Sequence, residues 1–226
     1  MLPLRDNVPT RSRPLVTYAL ILANVLVWVL YQLPDLQGSV NELAYHPCEV
    51  ENTCAQVGQD WPLTALTSMF MHGDWLHLLG NMLFLWIFGN NVEDVMGHAR
   101  YLLFYVLAGL AATGLQTAIT LSTASDRVAE IPNLGASGAI SGVLGAYFLI
   151  LPRARILTVI FFILREVPAW VFLGIYFFLQ LYDANFQLRH PPEDGGVAVF
   201  AHVGGFVFGL LTVYLFRRRR PLRPAY

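Results

Sequence analysis

The sequence predicts an all-α membrane protein, a bundle of six transmembrane helices with both termini cytoplasmic. Three observations predict it. Hydrophobic residues make up 56% of the chain against 13% charged, and mean hydropathy is +0.52, so most side chains must face lipid or one another rather than water. Six stretches approach the ~20 apolar residues needed to cross a hydrocarbon core, at residues 15–33, 76–92, 101–121, 135–151, 168–182 and 199–216. All 14 basic residues are arginine, and with six spans every one except Arg127 and Arg189 falls on the side of the termini. Positive charge accumulates on the cytoplasmic side, which orients the bundle.

Taken in order, residues 1–14 form a cytoplasmic N-terminal segment and 15–216 the core of a single domain, followed by a basic tail at 217–226. The first span is too long for a signal-peptide core and no small-residue cleavage site follows it, so a retained helix is expected. The external loop 34–64 carries Asp35, Glu42, Glu49, Glu51 and Asp60 without a basic residue. Its Cys48 and Cys54 leave a local disulfide or free thiols open, and two thiols alone make a poor metal site. Residues 61–70 read as an interfacial helix leading into the second span. Pro152 to Arg155 marks a cytoplasmic turn. The apolar run 156–164, interrupted by Arg165-Glu166-Val167-Pro168, reads as a surface-lying or re-entrant segment. The fifth span is aromatic, fitting a gate or a lipid-facing helix. The loop 189–196, with its prolines and paired glycine, reads as a mobile cap. The Arg217 to Arg220 run directly follows an apolar helix, which favours an anchor on anionic headgroups over nucleic-acid binding.

Chemistry is concentrated at the outer ends of three spans. Gly135-Ala136-Ser137-Gly138 places a hydroxyl at the start of the fourth span, and Ala201-His202-Val203-Gly204-Gly205 places an imidazole roughly 5 Å into the sixth, at 1.5 Å per residue. Both spans enter from outside, as does the second, where His77 and Asn81 share one helix face at i and i+4. A hydroxyl and a base at one depth suit acyl transfer, with His202 taking the Ser137 proton. The Ser137 amide, free in a first helical turn, joins His77 and Asn81 as candidate oxyanion donors. Taken alone, His77 and Asn81 read as an interhelical brace worth about 1 kcal/mol. Asp183 reads as interfacial, which leaves a dyad rather than a triad. Gly138, Gly142 and Gly145 on one helix, with Gly205 and Gly209 on the other, let the fourth and sixth backbones touch. No cofactor and no metal are called for.

These residues resemble the rhomboid family of intramembrane serine proteases. The resemblance rests on Gly135-Ala136-Ser137-Gly138, on the run Ala201-His202-Val203-Gly204-Gly205-Phe206-Val207-Phe208-Gly209, and on His77-Leu78-Leu79-Gly80-Asn81, in that family's arrangement over six spans. It implies a six-helix rhomboid-like bundle, with Ser137 as nucleophile, His202 as base, and His77 with Asn81 as oxyanion partners. It makes Glu93 and Gly97 scaffold, and sets His72 before the second helix. The implied activity is endopeptidase cleavage of transmembrane segments of other membrane proteins in the bilayer. Ser141 departs from the pattern, because some rhomboids carry there an aromatic stacked on the catalytic histidine. Ser141 itself or Phe206 would then hold the ring. A non-catalytic rhomboid-like scaffold that binds membrane proteins for quality control or trafficking is the alternative, and a transporter lacks the expected repeat. The Arg-only composition and compact layout point to a bacterial cytoplasmic membrane with the site facing outward.

Overall fold

The computed structural model describes residues 1–54, 60–123, 126–190 and 197–218. A short strand β1, Leu2–Asp6, precedes helix α1, Leu15–Leu26, which continues into a wider π-type turn over Val27–Gln32. Next come α2 (Leu36–Leu43), capped by the Asp35 carboxylate on Gly38 N–H, and α3 (Trp61–Thr67). Helix α4 (Trp75–Phe84) runs through a second π-type turn, Leu85–Gly89, into α5 (Asn90–Met96). Gly97, at φ +78°, ends α5 in a conformation that favours glycine, and α6 (His98–Thr123) starts immediately after it. The rest of the chain supplies α7 (Asp126–Ala129), α8 (Ser137–Ile150), strands β2 (Arg155–Ile160) and β3 (Ile163–Pro168), α9 (Ala169–Arg189) and α10 (Val199–Phe216). Residues Leu15–Gln32, His98–Thr123 and Val199–Phe216 form helices long and apolar enough to cross a membrane, and Ser137–Ile150 is a shorter apolar helix.

Helix α8 is the centre of the molecule. Every residue from Gly138 to Tyr147 is buried, which is possible only because its neighbours come very close. A methyl group on Gly205 would collide with the Gly138 carbonyl, one on Gly209 with the Gly142 carbonyl, and one on Gly145 with the Phe206 carbonyl. Along this seam the α8 and α10 backbones touch with no side chain between them, as the glycine spacing predicts. On the other side of α8, Ala112 and Ala108 of α6 sit against Gly138 and Gly142.

The expectation of a purely α-helical chain needs correction. Residues 2–6, 155–160 and 163–168 form a three-stranded antiparallel sheet in the order β1-β2-β3. The run expected to lie on the surface or re-enter the bilayer is therefore a β-hairpin. Its β-branched residues favour extended backbone, and Ile156 and Thr158 are buried at strand period while Arg155 is exposed. Phe161 and Phe162 make the two-residue turn at φ 47° and 67°, a conformation usually marked by Asn-Gly, so the turn carried no sequence signal.

Segments near the two ends of the described chain meet at α5, next to its junction with α6. Ser12 N–H donates to Asp94 at 2.9 Å and Arg218 N–H to the Val95 carbonyl at 2.9 Å. Beside them Glu93, fully buried, accepts from Val16 N–H, from the Thr17 amide and hydroxyl, and from His98 Nδ1, all within 2.6–2.9 Å. At the opposite end, Cys48 and Cys54 are joined in a disulfide.

Candidate functional site

Gly135 sets up the site. Its φ of +122° is a value that side-chain-bearing residues rarely adopt, and it turns the chain so that α8 starts at Ser137. As the first residue of the helix, Ser137 has an amide without an intrahelical acceptor. The glycine seam then brings α10 alongside, and His202 Nε2 lies 2.8 Å from Ser137 Oγ. Both side chains are only partly buried, opening on a cleft of about 760 Å³.

The same cleft gathers the other expected residues. His77, Asn81, Ser137 and His202 all line it, with Asp74 at its rim and Phe84, Ile140 and Leu144 as apolar walls. Asp74 caps α4 by accepting His77 N–H at 2.8 Å. The Gly73 amide donates to His77 Nδ1 at 3.4 Å, so the ring proton belongs on Nε2. That nitrogen borders Gly135. A Cβ built there would lie 2.7 Å from His77 Nε2 and 3.6 Å from Ser137 Oγ, so the missing side chain leaves space between donor and hydroxyl. Asn81 spends one amide proton on His72 Nε2, at 3.0 Å. His72 is in turn clamped by Gln32, whose side chain donates to its carbonyl and accepts from its amide, each at 2.8 Å. Burial, and then the neighbouring His77, push His72 down to about 3, so its ring is neutral. Among the described residues no group of three or more His, Cys, Asp or Glu side chains could hold a metal ion.

Residues that hold the imidazole differ from those the sequence offered. Ser141 does not reach it, bonding instead to Tyr176 Oη of α9 at 2.8 Å. Phe206 stacks on Phe177 at 4.4 Å. Asp183 is exposed. The partner of His202 Nδ1 is Gln180 Oε1, at 2.8 Å. Gln180 is the one amide in the apolar run of α9, and such a residue in such a helix needs a polar partner, which is the signal in the sequence that marks it. Of the loop expected to cap the site, residues 191–196 lie outside the described residues.

A family model described as Rhomboid domain matches residues 59–219. Among similar proteins, a yeast one (Saccharomyces cerevisiae) named Rhomboid protein 1, mitochondrial, is 28% identical over 86% of this chain and 51% of its own length. A bovine presenilin-associated rhomboid-like protein, mitochondrial, is 26% identical over 90% of this chain and 50% of its own. Rhomboid protease GluP of Bacillus subtilis is 35% identical over 60% of this chain and 24% of its own. The chain thus spans about half the length of the two mitochondrial relatives. Two of these three names are mitochondrial, which does not fit the expected bacterial membrane; membrane character is what the likeness carries.

Proposed function

The chain belongs to the rhomboid family, and from that footing we propose that it is an intramembrane serine endopeptidase cleaving transmembrane segments of other membrane proteins. The observation that carries this reading is the 2.8 Å contact between Ser137 Oγ and His202 Nε2 inside a cleft. In this reading the bundle crosses the bilayer six times with both termini cytoplasmic. The approach of Ser12 and Arg218 to the same turn of α5, far along α8 and α10 from Ser137, supports it.

The Ser137 hydroxyl gives its proton to His202 Nε2 as Oγ attacks the substrate carbonyl carbon, and the carbonyl oxygen becomes the oxyanion. The Ser137 amide and the His77 Nε2 proton face that oxygen, with the free Asn81 amide proton beside them. As the tetrahedral adduct collapses, the C–N bond breaks and the leaving nitrogen takes the proton from Nε2. Water entering through the cleft then gives a proton to Nε2 and its oxygen to the acyl carbon, releasing the new carboxyl end and restoring Oγ–H. A helical substrate amide is shielded by its own hydrogen bonds, so the segment must unwind locally before it can be attacked.

The test uses purified protein in liposomes with a single-span model substrate. Cleavage should persist in Cys48→Ser and disappear in Ser137→Ala and His202→Ala. A fluorophosphonate should label the wild type and not Ser137→Ala. If both alanine variants cut at the wild-type rate, the assignment is wrong. Absence of both cleavage and labelling in folded wild-type protein would favour a membrane-protein-binding scaffold.

A further inference from the structure

Helix α9 turns two polar side chains away from lipid. Tyr176 and Gln180 lie one turn apart on one face. Tyr176 meets Ser141 of α8 and Gln180 meets His202 of α10, each at 2.8 Å. The helix fully buries only Ala169, Phe172, Leu173 and Ala184. Its two part-buried polar contacts therefore fall on the two helices that carry the hydroxyl and the imidazole.

A neutral imidazole has two tautomers, and only one leaves a lone pair on Nε2. An amide oxygen can accept a hydrogen bond but not donate one, so Gln180 Oε1 requires the proton on Nδ1. The lone pair on Nε2 then faces Ser137 Oγ. Without that acceptor the ring can carry its proton on Nε2, from which it would donate to the hydroxyl and could not take its proton. We propose that Gln180 is a positioning residue for His202, an uncharged amide on α9 that fixes the tautomer and ring plane of the base and makes its competence depend on α9 being seated against α10. This rests on the reading of Ser137 and His202 as nucleophile and base. An amide suits the place, because a carboxylate there would need desolvation that its attraction to the ring only partly repays.

The experiment compares Gln180→Met, which keeps the length and removes the acceptor, with Gln180→Glu, which keeps the acceptor and adds a charge. The full chain in liposomes is assayed for kcat and KM on the single-span substrate, for the rate of fluorophosphonate labelling, and for the rate–pH profile. Gln180→Met should lower kcat and labelling together by about 10–100-fold, as loss of a ring-orienting partner does elsewhere, with KM changed by less than about twofold. Gln180→Glu should keep most of the labelling rate and move the acid limb of the profile to higher pH by about one unit. Asp74, His77 and Tyr176, the other titratable groups lining the cleft, are the same in every variant. The inference is overturned if folded Gln180→Met retains wild-type kcat, or if Gln180→Glu leaves the acid limb in place. Should Gln180→Met not fold, the profile of Gln180→Glu decides alone. Wild-type cleavage by Ser137→Ala and His202→Ala would instead sink the underlying assignment, so the two failures are distinct.

Discussion

Gly205→Ala tests whether the glycine seam is what brings the hydroxyl to the imidazole. The added methyl would overlap the Gly138 carbonyl, and ordinary contact begins only near 3.4 Å. The obstacle is backbone on a buried helix, so no side chain can rotate away. Relief requires α8 and α10 to part by on the order of 1 Å, at a cost of about 1–3 kcal/mol in stability. Ser137 lies on the same stretch of α8, so its 2.8 Å contact with His202 would stretch beyond hydrogen-bond range. A misplacement of about 1 Å at reacting groups costs roughly 100-fold in rate. The assay is kcat on a single-span substrate in liposomes, with the thermal unfolding midpoint measured alongside. Gly114→Ala on α6 is the control, because a Cβ there meets nothing within 4 Å. It should leave the rate unchanged and stabilise the helix by about 0.5–1 kcal/mol. Wild-type rate and midpoint in Gly205→Ala would refute the reasoning.

Glu93→Ala should lower stability by roughly 3 kcal/mol, because the Val16 and Thr17 amides lose their acceptor in a buried place. Fluorophosphonate labelling of the protein that remains folded should be unchanged, and unaltered denaturation would contradict this. Asp6 gives a pH signature. Burial raises its carboxyl above the ordinary 3.8, and donation by Tyr147 at 2.6 Å only partly offsets it. A folded-state value above the unfolded one contributes stability in full below pH 3.8 and loses it as pH rises through the raised value. The unfolding midpoint should therefore carry a component that falls on the alkaline side of pH 3.8, and Asp6→Asn should remove it. An identical midpoint–pH curve for the two proteins would exclude that origin.

Whether a feature could be read from the chain depended on how local its cause is. Apolar runs and the glycine spacing are local patterns, so the long helices and the α8–α10 seam were legible, and with them the approach of Ser137 to His202. Helical period put His77 and Asn81 on one helix face, and the entry of the second, fourth and sixth spans from one side put that face at the depth of Ser137 and His202, whose cleft they line. The sheet is not legible in the sequence because β2 finds its partners at both sides, one of them the distant β1, and because its hairpin turns on two phenylalanines instead of Asn-Gly. Gln180 shows the same limit within the site. A polar residue in an apolar helix announces that a partner must exist, yet helical period constrains only the face it occupies. Which ring nitrogen it meets depends on how α9 is rotated and how deep it sits against α10. Asp183 lies three residues further along α9, a step of about 300° around a helix with 3.6 residues per turn. It is exposed where Gln180 is partly buried. The sequence offered a charge and the fold uses an uncharged acceptor, which is the less costly group to bury beside a base that must remain neutral until it accepts the Ser137 proton.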